Sequence, residues 1–233
     1  MGDQFATVAS PGSLTLALET LAIGSQYGGK KRETQLDQVR YLEAQFAPLW
    51  GGMGAVAEAF GTAYAEAKEV DKAIDWYRAA VDAGDGRASF KAAEQLGNHL
   101  VRRGERNKDP AAARADIEAG IGQLERLAAV QSTIERESLL GSAYKRLTMV
   151  EWRAGRKRAA DAALNSAVKH YGNAEGMARK AGADNLFYPA KNGISCELRA
   201  SFLAKLPVGI SEERLRYANR WPRRPPATRI FGR

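Results

Sequence analysis

The chain has 233 residues, 45% hydrophobic and 27% charged, with one Cys, two His and a formal net charge of +8. That composition is globular. A single cysteine excludes an internal disulfide framework and a multi-cysteine zinc site, and two histidines leave little for any other transition-metal cage. No metal or cofactor is therefore expected, and a reducing cytoplasm is the expected compartment. The N-terminus MGDQFATVASPGS has no basic n-region, and no stretch of about 18 apolar residues occurs, so neither a secretion signal nor a membrane span is predicted.

Residues 1–33 read as a partly ordered N-terminal segment. Within it, Leu14, Leu16 and Leu18 alternate as in a short strand, whereas Leu14, Leu18 and Leu21 fit a helix. The pattern leaves both open, with Ser13 a plausible N-cap for the helix. Gly24 to Lys31 breaks the period and is expected to be a loop. Gly24, Gly29 and Lys30 have the spacing of a phosphate-binding loop up to its last position, where Lys31 replaces the Ser or Thr that would hold a magnesium ion. The motif is incomplete, and a basic turn before the first long helix is the expectation.

Residues 34–206 carry helical periodicity throughout. Leu36, Val39, Leu42, Phe46 and Leu49 define one amphipathic helix, closed by Pro48 and the Gly51-Gly52 break. Val56-Phe60-Tyr64 and Ile74-Tyr77-Val81 form a helical hairpin ending at Gly84-Asp85-Gly86. Phe90-Leu96-Leu100 and, after a turn with Pro110 at a helix N1 position, Ile117-Ile121-Leu124-Leu127 form a second. Leu139-Leu140-Leu147-Val150 and Ala159-Ala163-Leu164-Val168-Tyr171 form a third, closing at Gly182. A last helix, about Phe187 to Leu206, stops at Pro207.

One signature recurs across the hairpins: Phe60-Gly61-x-x-Tyr64, then Ala73, Tyr77 and Ala80. Small residues where two antiparallel helices touch let their backbones approach, and aromatics fill the space between turns. This resembles the tetratricopeptide repeat, with Asp85 at the position of the closing Pro. The second copy, Leu96-Gly97-x-x-Leu100 with Ala113, Ile117 and Gly120, reads as carrying a loop about four residues too long. The third, Leu140-Gly141-x-x-Tyr144 with Ala160, Leu164 and Ala167, needs about two extra helical turns. The expected fold is all-α: a right-handed α-solenoid of degenerate tetratricopeptide-like hairpins.

Glu137-Ser-Leu-Leu-Gly-Ser-Ala-Tyr-Lys-Arg-Leu147 and Asn185-Leu-Phe-Tyr-Pro-Ala-Lys-Asn192 further resemble segments of the helical repeat region of bacterial caspase-like (CHAT) proteins, over roughly residues 13–205. In that family the repeat region serves as the sensor and interaction half beside a protease. The resemblance implies a scaffold or sensor role, with a caspase-like protease as a partner.

Such arrays bind on the face lined by the first helix of each pair. Counted from each anchor glycine, the candidate positions are Glu58, Thr62, Ala65 and Glu66; Glu94, Asn98, Val101 and Arg102; Ser138, Ser142, Lys145 and Arg146. We take Glu58, Glu66, Asn98, Arg102, Lys145 and Arg146 as the binding set, a face grading from acidic to basic that suits an extended peptide or partner protein of mixed charge. Cys196 is expected to fill inter-helix space, His99 and His170 to lie on helix surfaces, and Tyr64, Trp76, Tyr77, Tyr144 and Trp152 to form core. No complete catalytic constellation appears, so no enzymatic activity is predicted. Residues 207–233 read as a flexible Arg/Pro-rich tail. From Arg214 to Arg233 there are seven arginines and no Lys, Asp or Glu, which leaves +1 for residues 1–213, so the alternative of nucleic-acid binding rests on this tail alone.

Overall fold

A computed structural model describes residues 8–26, 28–182, 187–204 and 209–218, which contain ten helices and no strand. The fold is all-α and tetratricopeptide-like, as the periodicity predicts. The chain divides into two compact units, residues 1–127 and 128–233.

The first unit opens with α1 (Pro11–Ser25) and α2 (Gly29–Trp50). Leu14, Leu18 and Leu21 are buried while Leu16 is exposed, which settles residues 13–23 as helix. The cap is Ser10 rather than Ser13: the Ser10 hydroxyl accepts from the Ser13 N–H (3.2 Å), and the Ser13 hydroxyl accepts from the Ser10 N–H (3.0 Å), closing a reciprocal box. The expected loop at 24–31 shrinks to a turn, because α1 continues through Ser25 and α2 starts at Gly29, five residues before Thr34. Gly24 is used for contact, since a Cβ there would lie 2.0 Å from the Gln35 side-chain oxygen on α2. The two glycines of the phosphate-loop spacing thus sit on two packed helices.

The hairpins follow as α3 (Gly54–Glu66) with α4 (Val70–Asp82), and α5 (Phe90–Arg106) with α6 (Pro110–Val130). In the first, a Cβ on Gly61 would meet the Tyr77 ring at 2.7 Å, so only glycine lets the buried tyrosine lie flat against α3. Asp85, in place of the closing proline, accepts from the Gly54 N–H (3.0 Å) and the Arg87 N–H (2.9 Å), tying the end of this hairpin to its start. These two backbone donors, Arg87 first, hold its carboxyl below the usual range.

The second hairpin corrects the expected long loop. Both anchor glycines stand seven residues into their helices, but α5 runs on to Arg106 where α3 stops at Glu66. The four extra residues make one more helical turn, and Gly97 packs on Gly120 and Leu124 rather than on Ile117, which instead meets Gly104. Backbone hydrogen bonds inside a helix cost less to satisfy than those of a longer loop.

In the second unit, α7 (Ile134–Arg153) and α8 (Lys157–Ala181) form the third hairpin, followed by α9 (Phe187–Ala204) and α10 (Glu212–Ala218). Relative to the first hairpin, α7 gains seven residues after Gly141 and α8 gains seven before Tyr171, so both additions lie between the shared contact and the turn. Seven residues are close to two turns, so the inward face is preserved. The partner of Gly141 is therefore Tyr171, whose ring would lie 2.8 Å from a Cβ there, and Ala167, Tyr171 and Ala174 reproduce Ala73, Tyr77 and Ala80. Ala160 and Leu164, the expected equivalents, are buried in the added turns. Cys196 joins Leu164, Ala167 and Tyr171 in the core, as its spacing from Gly193 predicts.

Candidate functional site

The six predicted binding residues divide by what they touch. In the first unit, Glu58 is a structural tie: its carboxylate accepts from the Ser89 N–H (2.8 Å) and the Ser89 hydroxyl (2.5 Å). Ser89 in turn caps α5 by accepting from the Lys91 N–H. Beside it, the Thr62 hydroxyl lies 3.2 Å from the Tyr77 hydroxyl, whose pKa rises to about 12, chiefly through burial. Glu66, Asn98 and Arg102 are different. None makes a side-chain hydrogen bond or ion pair among the described residues, and Arg102 is exposed on α5.

In the second unit, Lys145 donates to the Asn192 side-chain amide oxygen (2.7 Å) and its ammonium stands 5.9 Å from the Tyr171 ring centroid. Arg146 folds back on Ser142, donating to its hydroxyl and its backbone carbonyl. Both cations are thus partly committed within the unit, while Glu66, Asn98 and Arg102 have their hydrogen-bonding capacity unused.

The histidines are not surface residues. His99 is 7% exposed and stacks on Tyr77 with 5.7 Å between ring centroids, and its Nδ1 has no hydrogen-bond partner. Burial pushes its pKa down to about 4, helped by the positive charges of Arg102, Lys68 and Arg106. His170 stacks on Tyr144 (5.4 Å), and its Nδ1 is 2.9 Å from the Glu137 carboxylate. Glu137 also accepts from Ser132 and Asn173; burial pushes its pKa up, but these donors outweigh it and the net shift is downward. Both histidines occupy the ring-stacking positions between helices that aromatics take elsewhere, as Trp76 does on Phe60.

The aromatic stripe is core except at Trp152, which is exposed with the Arg199 guanidinium over its ring. It falls on the added turns of α7, beyond the length the repeat encloses. For Cys196, burial pushes the thiol pKa up against a smaller pull from Lys145, which disfavours a reactive thiolate.

Of the tail arginines, Arg214 and Arg216 lie among the described residues. Arg214 forms paired hydrogen bonds to Glu175 (2.8–3.1 Å) and to Glu197 (2.7 and 2.9 Å), pinning α10. Arg216 stands 3.4 Å from Glu212. Trp221 and the remaining five arginines lie outside the described residues.

Sequence reasoning passed over Lys68 and Arg106. The spacing of His99, Arg102 and Arg106 puts all three on one face of α5 and was legible. Lys68 carried no such signal, because its place comes from the backbone of the α3–α4 turn.

Gly61 against Tyr77 and Gly141 against Tyr171, in hairpins whose small and aromatic positions coincide, define a tetratricopeptide-type repeat protein. Residues 69–197, running from the start of α4 into α9, match the family described as Tetratricopeptide Repeats-Sensor, and the chain belongs to that family. No curated protein matches the chain. Membership makes it a module of the protein-interaction or sensor kind. No helix of the described residues is long and apolar enough to cross a membrane.

Proposed function

We propose that the chain is a non-catalytic sensor or scaffold that binds an extended peptide of a partner protein on the face carried by α3 and α5. The observation that carries this reading is the division of the candidate residues. Glu58 is consumed in holding α5, whereas Glu66, Asn98 and Arg102, on the same two helices, present charge and amide groups with no internal partner. Polar groups without a role in the fold, aligned on the face that repeat proteins use for recognition, are available for a ligand. The segments resembling caspase-like (CHAT) proteins support a protease of that class as the partner. The nucleic-acid alternative gains no support from Arg214 and Arg216, whose charges already face carboxylates.

The test is selection of binders from a random peptide library on the purified full chain, then titration of the selected peptides against Glu66→Lys, Asn98→Ala and Arg102→Glu. Weakened binding in these variants with unchanged helical content supports the reading. Failure to select any peptide, or peptides indifferent to all three changes, refutes it.

A further inference from the structure

The face just described carries a feature that the predicted residues did not include. Lys68, in the α3–α4 turn, has φ of 72°, the only non-glycine residue with positive φ among the described residues. The matching place in the α7–α8 turn is Gly155, with φ of 74°. Both follow the last helical turn by the same step, since Ala67-Lys68-Glu69 and Ala154-Gly155-Arg156 join helices of the same hairpin type. A left-handed conformation is strained for a side chain bearing a Cβ and free for glycine. The lysine side chain is thus kept where glycine would fold better, and such strain concentrates at functional positions.

The surroundings say what the lysine serves. Arg103 of α5 donates to Asp71 at the start of α4 (3.3 Å), three residues past Lys68, which brings the α3–α4 turn to the stretch of α5 that carries Arg102 and Arg106; the positive charges of all three also disfavour protonation of the buried His99. All three are exposed, and none forms an ion pair among the described residues. Arg103 beside them is spent on Asp116 (2.6 and 2.7 Å) and Asp71 (3.3 Å). Arg106 suits the last turn of α5 through the helix dipole, but that account covers neither Arg102, a turn earlier, nor Lys68 on another element.

We infer that Lys68 of the α3–α4 turn and Arg102 and Arg106 of α5 form a docking site for an acidic, extended segment of a partner protein. This deepens the peptide-binding reading above and rests on it. The extended form follows from geometry. Arg102 and Arg106 are one helical turn apart, about 6 Å along the axis. Every second side chain of an extended chain is spaced by about 6.6 Å, so alternating carboxylates match the pair. A single small oxyanion would need cations converging on one point, whereas these are spread over a turn and a helix face. Glu66, on the same face, suits a basic residue flanking the acidic stretch, which sets the register of the segment.

The experiment titrates the full chain with a fluorescein-labelled peptide of four Glu-Ala repeats at about 150 mM salt, where loose surface attraction is largely screened. A Lys-Ala peptide and inorganic phosphate serve as comparisons. The variants are Lys68→Gly, the double change Arg102→Glu with Arg106→Glu, and Arg158→Glu, an exposed arginine of the second unit. Lys68→Gly should raise the denaturation midpoint while weakening the acidic peptide about threefold to tenfold, a pairing that a purely structural residue would not give. The double reversal should weaken it by more than about tenfold, and Arg158→Glu should leave it unchanged. Equal losses in all three variants, or none in the double reversal, would overturn the assignment as nonspecific attraction. Full displacement by millimolar phosphate would overturn it in favour of a small-oxyanion site. Library peptides that bind but are never acidic would overturn this inference and leave the peptide-binding reading standing, whereas no binding of any peptide would remove both.

Discussion

Replacing Gly141 by alanine tests the contact on which the repeat geometry depends. The added methyl would lie 2.8–2.9 Å from three atoms of the Tyr171 ring, where ordinary contact begins near 3.4 Å. The ring has nowhere to go: Tyr171 is fully buried, packed with Leu164, Ala167 and Cys196 on one side and edge-on to Tyr188 on another. Overpacking of this kind costs about 1–3 kcal/mol. Removing a glycine from a helix interior returns about 1 kcal/mol, so the net loss should be about 0–2 kcal/mol. Gly172, the next residue on α8, supplies the control within the same unit. Nothing lies within 4 Å of a Cβ there, so Gly172→Ala should gain about 0.5–1 kcal/mol. Urea denaturation followed by circular dichroism should move the two midpoints in opposite directions with unchanged slopes. Adding Tyr171→Leu should remove most of the penalty of Gly141→Ala, giving a coupling of about 1 kcal/mol in the double-mutant cycle. If Gly141→Ala stabilises as Gly172→Ala does, the two helices are not packed through this glycine and the repeat assignment is wrong.

Two further predictions concern charge. Arg214→Met should destabilise the second unit by about 2 kcal/mol at pH 7, because it strips paired donors from a buried Glu175 that keeps only Arg179. Burial pushes the Glu175 pKa up, but Arg214 and Arg179 outweigh it and the net shift is below 4.5. The stabilisation is therefore present above pH 4.5 and fades below it, so the gap between wild type and variant in thermal melts should narrow as pH falls; a constant gap would mean that the ion pairs contribute nothing. His99 behaves oppositely to a paired histidine. Its folded pKa of about 4 lies under the ordinary 6.5, so the chain is fully stabilised above pH 6.5 and loses stability as pH falls toward 4, by about 2 kcal/mol at pH 5. His99→Phe should flatten that loss between pH 6.5 and 4.5, above the range where the depressed Glu137 and Glu175 titrate. Identical acid profiles for the two proteins would show that the imidazole is solvated.

The sequence by itself determined the helical class, the three hairpins and their anchor glycines, because a period of 3.6 and the glycine–aromatic pairing are local consequences of which faces must be buried. It also placed Cys196 in the core through its distance from Gly193. What it misjudged were lengths and partners. Four residues after Gly97 could be loop or helix on local grounds, and seven residues in each of α7 and α8 shift the register without disturbing the amphipathic pattern. Only packing against the opposite helix shows that Gly141 answers to Tyr171 rather than to Leu164. The candidate site divides the same way. Glu66, Asn98 and Arg102 were found by counting along a helix, but whether a polar residue is free or spent depends on what lies across from it, so Glu58 was legible as a position and not as a tie to Ser89. His99 looked like a surface residue because its polarity is local, while its burial is decided by Tyr77 sixteen residues past Gly61. The backbone of a turn is set by the two helices it joins, and that alone puts Lys68 in a left-handed conformation beside two arginines from another hairpin.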